Sequence, residues 1–396
     1  MSERAYPPFL LEAIRRKQRL VRERGIDILV KPIPDDDRPG AMDKRLLEIT
    51  EPIVSGPRGF FIRLFMPLFM KNRNPRRLAV FMRRFFNGVQ SLPITEGVSV
   101  RHETVRSGGI EIPVRIYRRE SGSAAGASPP AAVPDTGGAA APRPVFYYIH
   151  GGGFAAGHPG VVEEMIKQVT ALSGCVGVQP DYRLAPEHPY PASLEDCYAG
   201  LKWVYENAAS LGGDKSRICI AGDSAGGNLA AVCAMKDRDE GSGMVKAQVL
   251  LYPTVNLAGK EDKNYRFSLD RFTILKEHRR SILFRINSMR CSSEGVLGCV
   301  LGVKDQTPPY ISPYLGNLAG LPPCLIAYGE FDCLRLDSEA YARKLAASGV
   351  PVRVIRYLGL GHAFAECIGV QPQAEDCMAE IGRFVAETCA GSLLHL

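Results

Sequence analysis

The chain is poor in the features that would take it out of the ordinary globular proteins. In 396 residues it has one tryptophan, no CxxC pair, no N-x-S/T sequon and no unbroken apolar run of the roughly 18 residues a membrane-spanning helix needs. The opening MSERAYPPFLLEAIRRKQRL has no apolar stretch of about 7–15 residues before a small-residue cleavage site, so a cytoplasmic location is expected. Eleven cysteines, an odd number without zinc-type spacing, exclude a complete set of internal disulfides and point to buried, reduced thiols. Hydrophobic residues make up 45% and charged residues 23%, which excludes pervasive disorder, collagen and a small disulfide scaffold.

Acidic residues are missing from one segment. Residues 52–90 contain eight basic side chains, seven phenylalanines and no Asp or Glu. Residues 1–90 hold 19 Lys+Arg against 10 Asp+Glu, a net +9, and the rest of the chain carries −2. A basic front section is therefore attached to a nearly neutral body.

The apolar spacing of 9–24 (Leu10, Ile14 and Val21, flanked by Leu11 and Leu20) predicts a helix stopped by Gly25. A linker at 31–40 and a short helix from Met42 to Glu51, ended by Pro52, are expected next. Asn74 as cap and Pro75 at the first position predict a helix closed by Asn87-Gly88. It would carry Leu78, Phe81, Met82, Phe85 and Phe86 on one face, with Arg76, Arg77, Arg83 and Arg84 largely opposite. Beyond Leu92, VSVRHETV and IEIPVRIYRR read as strands joined at Ser107-Gly108-Gly109. Residues 121–144 are low-complexity Gly, Ala, Pro and Ser, read as a disordered surface loop. From 145 onward the runs VFYYI, CVGVQP, RICIAG, AQVLLYP, CLIAYGE and VRVIRY alternate with helical stretches, apart from an irregular insertion at 257–309. That alternation predicts an α/β fold around a mostly parallel sheet.

The strongest chemical signal is Gly222-Asp223-Ser224-Ala225-Gly226, a G-x-S-x-G between a strand and a helix, the setting of a strained nucleophilic serine. His150-Gly151-Gly152-Gly153-Phe154 follows the strand VFYYI, and its glycines leave backbone N–H groups free to bind an oxyanion. A phosphate-cradling loop would need a following Lys-Ser/Thr. A dinucleotide turn would fit only as Gly151, Gly153 and Ala156, with its acid at Asp181 too distant. A serine nucleophile needs a base and the base an orienting acid. Asp332 and His362 follow the strands CLIAYGE and VRVIRY, where open sheets carry their sites, and the order Ser224, Asp332, His362 is that of α/β-hydrolases.

On HGGGF, DYRLAPEHPYPA (Asp181 to Ala192), GDSAGGN, the Asp332 segment and GHAF, the chain from about 100 to 390 resembles the hormone-sensitive-lipase-like family of α/β-hydrolases. That family includes bacterial esterases and resembles arylacetamide deacetylases. The resemblance implies an eight-stranded sheet flanked by helices, a helical cap section at 1–95, and a catalytic domain at 96–396 with a second cap insertion at 257–309. It implies Ser224 as nucleophile, His362 as base and Asp332 as its partner. The N–H groups of Gly152, Gly153 and Ala225 would form the oxyanion hole, supported by His150, Gly151, Asp223 and Asp181. One departure is visible: the family usually reads D-x-L-R-D-E after the acid, and here Leu336 stands where a second aspartate is common. No metal or organic cofactor is implied.

The expected activity is hydrolysis of small to medium acyl esters. An amidase or deacetylase would use the same triad, and a non-catalytic receptor of this family would lack the histidine that is present at 362. A small-molecule ester is the expected partner, and nucleic acid is not. For 52–90 three readings stay open: lining of the acyl pocket, peripheral attachment to anionic lipid, and self-association through the cap.

Overall fold

The runs VFYYI, CVGVQ and CLIAYG are buried along their whole length, as strands covered by helices on both faces must be. The computed structural model describes residues 3–56, 74–85, 91–120, 143–293 and 296–389. In chain order the elements are α1 (Phe9–Lys17), β1 (Arg19–Glu23), β2 (Ile26–Lys31), α2 (Lys44–Ser55), α3 (Pro75–Phe85), β3 (Val98–Ser107), β4 (Ile110–Arg119) and β5 (Arg143–Ile149). They continue with α4 (Glu163–Ser173), β6 (Val176–Pro180), α5 (Ala192–Asn207), β7 (Gly213–Asp223), α6 (Ala225–Asp239) and β8 (Val245–Leu251). The last are α7 (Arg279–Ser293), α8 (Val296–Leu301), β9 (Cys324–Gly329), α9 (Arg335–Ala347), β10 (Val352–Tyr357) and α10 (Pro372–Cys389).

The strands form one sheet in the order β1-β2-β10-β9-β8-β7-β5-β6-β4-β3. Pairing is parallel from β2 through β6 and antiparallel at both ends. α4 and α10, with α1 against α10, cover one face; α5, α6 and α9 lie against the other. α2 packs on α7, α3 on α8, and α7 on α8, so the front section and the 257–309 insertion meet.

Several expectations are corrected. The eight expected strands are β3–β10, and a β1–β2 hairpin extends the sheet to ten among the described residues. The helix expected over 9–24 ends at Lys17. Arg24 and Gly25, at φ 48° and 88°, form a tight turn, and β2 gains β10 as a parallel partner. Lys31 is thus a strand residue, and residues 1–95 are not wholly a helical cap. Pro52 lies inside α2, tolerated because Glu48, whose carbonyl it leaves unpaired, is on the exposed side. Finally, Arg143 and Pro144 open β5 instead of closing the low-complexity loop, whose residues 121–142 lie outside the described ones.

The helix expected after Asn74 is α3, with Asn74 Oδ1 accepting from Arg77 N at 3.1 Å. Leu78 and Met82 are buried and Phe81 is half-buried. The Phe85 side chain, Phe86 and the run GFFIRLFMPLFM lie outside the described residues. At the carboxyl end of β2 Lys31 is fully buried, its Nζ 3.0 Å from Asp376 and 2.5 Å from Glu380.

Candidate active site

Ser224 is the turn between β7 and α6, with φ 53° and ψ −116°. Such a backbone in a non-glycine residue costs on the order of 1–3 kcal/mol and persists only where its surroundings over-determine it. Here Ser224 N donates to Leu251 O at 2.9 Å, and Ser224 O accepts from the N–H groups of Asn228 and Thr254, both at 3.1 Å. The flanking glycines are steric necessities. A Cβ at 222 would lie 2.3 Å from Gly226 O, and one at 226 would lie 2.1 Å from Ile149 O.

The loops after β9 and β10 deliver the other two groups. His362 Nδ1 is 2.9 Å from Asp332 Oδ2, and His362 Nε2 is 2.9 Å from Ser224 Oγ. An ionised carboxylate only accepts, so the proton belongs on Nδ1 and Nε2 accepts from the serine hydroxyl. Asp332 is fully buried, and its Oδ1 accepts from Leu334 N at 2.8 Å. The ring of Tyr252 meets the imidazole edge-on, centroids 5.0 Å apart at 63°. In place of the family's aspartate, Leu336 is buried, and the helix after the acid is tied down by Arg335 pairing with Glu339 at 2.8 Å.

In the glycine loop Gly152 and Gly153 have φ 115° and 60°, and a Cβ at 152 would lie 2.0 Å from Ala156 O. Among the described residues nothing accepts a hydrogen bond from the N–H of Gly152, Gly153 or Ala225. Neighbouring groups hold the loop in place. Asp223 Oδ1 accepts from Gly151 N and from the Tyr148 hydroxyl, both at 2.9 Å. His150 Nδ1–H donates to Gly151 O at 2.8 Å, and its ring stacks on Tyr182, centroids 4.4 Å apart. Burial pulls the His150 pKa down to about 4 and pushes that of Asp223 up to about 6.

One expected supporting residue stands apart. Asp181 is exposed, and no oxyanion-loop group bonds its carboxylate. Side-chain alternation past β6 turns it outward and its neighbour Tyr182 inward. The support comes from the Tyr182 hydroxyl, which donates to His150 O at 2.9 Å, and from Ala185 N, which donates to Phe154 O at 2.9 Å.

The cap adds contacts that local sequence does not announce. Arg83, expected largely opposite the apolar face, turns inward: Nε donates to Ala155 O at 2.8 Å, Nη2 to Ala185 O at 3.3 Å, and the head pairs with Glu187 at 2.6 Å. Met82 and Leu297 cover Gly153. Arg285 of α7 lies beside Gly361. None of these carried a readable signal, whereas Tyr252, also unforeseen, did, since it directly follows β8 at the sheet's carboxyl edge. No group of three His, Cys, Asp or Glu side chains fit for a metal occurs among the described residues.

A family model described as alpha/beta hydrolase fold matches residues 146–366, more than half the chain. The chain belongs to this family. Within it, a carboxylesterase of Mycobacterium tuberculosis, NlhH, is 36% identical over 278 residues, covering 70% of this chain and 79% of its own. An arylesterase of Saccharolobus solfataricus is 33% identical over 220 residues, covering 55% and 67%. Among solved structures of the hydrolase fold, a Pyrobaculum calidifontis esterase superposes with a TM-score of 0.61 at 29% identity, covering 88% of this chain and 99% of that one. A Pseudomonas putida esterase gives 0.64 at 25% identity, covering 89% and 99%.

Proposed function

We propose that the protein is a serine carboxylic-ester hydrolase acting on small to medium acyl esters. The observation that carries this reading is the hydrogen-bonded chain Ser224–His362–Asp332 beside three backbone N–H groups that have no acceptor among the described residues. Ser224 Oγ attacks the ester carbonyl as Nε2 of His362 takes its proton, and Asp332 stabilises the imidazolium. The N–H groups of Gly152, Gly153 and Ala225 bind the oxyanion, each such donor being worth roughly 3–4 kcal/mol. Collapse transfers the proton from Nε2 to the departing alkoxide and leaves an acyl-serine. Water, deprotonated by His362, then releases the acid and restores the serine.

The test is turnover of p-nitrophenyl esters from acetate to palmitate beside the matching anilides. Ester cleavage peaking at short chains supports the proposal. Anilides cleaved as well as esters would shift it to an amidase.

A second reading concerns partners. On α3, Val80 is 65% exposed and framed by the exposed Arg76, Arg77 and Arg84, a face suited to an anionic lipid surface. Among the described residues no helix is long and apolar enough to cross a membrane. Co-sedimentation with phosphatidylserine vesicles at low salt, lost in 0.5 M salt, is the expected result. No binding to such vesicles would remove this reading.

A further inference from the structure

The insertion helix α7 brings to the triad an arginine that has no ion-pair partner among the described residues. We propose that Arg285 is a specificity-determining residue that receives a carboxylate carried by the ester, so that acidic esters are preferred substrates. This rests on the esterase reading above.

A Cβ on Gly361, the residue before His362, would lie 3.3 Å from Arg285 Nε. The guanidinium therefore lies against the backbone that carries the proposed base. Nη1 donates to Thr50 Oγ1 at 3.1 Å, a neutral hydroxyl, and no carboxylate among the described residues lies within ion-pair distance. Five N–H donors in a planar fork match a carboxylate, and one is spent on Thr50.

Nearby carboxylates do not fill the vacancy. Asp332 is committed to His362 and Leu334 N. Glu48 and Glu51, on the helix that supplies Thr50, are exposed to solvent, and the α7 sequence RRSILFRINSMRCSS contains no acid. Elsewhere enclosed arginines have carboxylates: Arg335 has Glu339 at 2.8 Å, Arg356 has Glu23 at 2.7 Å and Arg45 has Asp43 at 2.7 Å. Burial also lowers the pKa of Arg285, outweighing the opposite pull of Cys367 and Asp332. A cation kept this way next to a reacting centre fits a ligand that brings the opposite charge.

The experiment compares acidic esters with neutral isosteres: monomethyl adipate with methyl hexanoate for the acyl side, and 4-acetoxybenzoate with 4-methylphenyl acetate for the alcohol side. In the wild type, kcat/KM for one acidic ester should equal or exceed that of its isostere. Arg285→Gln should lower that acidic-to-neutral ratio at least tenfold, mainly through KM, and Arg285→Lys should retain part of it. As a check that needs no variant, adipate should inhibit wild-type cleavage of a neutral ester more strongly than hexanamide does. A wild type that cleaves neutral esters but discriminates against both acidic ones overturns the proposal. So does a Gln variant that loses both classes equally, because a cation serving only to balance Asp332 would do that. Failure of the wild type on every ester would instead strike the esterase reading, and this proposal with it.

Discussion

The terminal methyl of Met82 rests on Gly153, so close that a Cβ at 153 would lie 2.3 Å from it, with Leu297 Cδ2 at 3.1 Å. A helix of the front section and one of the insertion thus close the space over the proposed oxyanion loop. Met82→Ala should raise kcat/KM for octanoate relative to acetate esters by about tenfold, since a methylene in a shaped pocket is worth roughly 1–3 kcal/mol. An unchanged chain-length profile would show that the acyl group lies elsewhere.

Ser224→Ala should lower ester turnover by at least about 10⁴-fold with the fold intact by circular dichroism. Near-wild-type activity in the alanine variant would remove the triad assignment.

Arg83 ties α3 to both loops around the glycines. Its ion pair with Glu187 is exposed and adds little. The bonds to Ala155 O and Ala185 O place a charged donor on the loop itself. Arg83→Gln is therefore expected to reduce kcat several-fold while moving the thermal midpoint little, and Glu187→Gln to change neither. Steady-state kinetics beside thermal melts decide the point, and equal effects of the two variants would contradict it.

Tyr252 presents its ring to His362, but its buried hydroxyl has no hydrogen-bond partner among the described residues. Removing an unsatisfied hydroxyl is neutral or stabilising by about 1 kcal/mol. Tyr252→Phe should thus keep activity within about twofold and melt no lower, whereas Tyr252→Ala should lose turnover because the imidazole loses its wall. A Phe variant with markedly reduced kcat would mean that the hydroxyl takes part in the reaction.

His150 and Asp223 hold Gly151 from opposite sides and shift in opposite directions, to about 4 and about 6. As pH falls from 6.5 to 4 the unfolded chain protonates its histidine before the folded one does, so that group loses stability on acidification. Below 6 the folded chain protonates Asp223 before the unfolded one does, so that group gains stability, and the two contributions largely cancel. Asp223→Asn should unmask the histidine and lose up to about 3 kcal/mol of stability between pH 6.5 and 4 relative to wild type. Urea unfolding at several pH values measures this, and parallel wild-type and variant curves would refute it.

The proposed triad and the glycine loop were legible because each group lies at the carboxyl end of a strand whose apolar run is itself legible. The amino-terminal hairpin was not. Leu20 and Val21 satisfy a helical period as well as a strand, and the choice is made by β10, more than three hundred residues away. The inward turn of Arg83 and the isolation of Arg285 were hidden for the same reason. Whether a basic side chain on a cap helix meets solvent, a carbonyl or a catalytic loop depends on how elements distant in the sequence dock. Asp181 was misplaced by one residue of alternation, the smallest error the motif allowed.

The buried Lys31 also bears on how the protein is made. Strand β2 leaves the ribosome long before β10, Asp376 and Glu380 exist, and at roughly 5–20 residues per second that interval lasts on the order of tens of seconds. A hairpin of this size is marginal alone and offers an open edge to any other nascent chain. An uncompensated lysine in that edge discourages such pairing until its two carboxylates arrive on the final helix. A charge that the finished sheet neutralises thus stands, before then, on an open edge, where charge works against pairing with other chains.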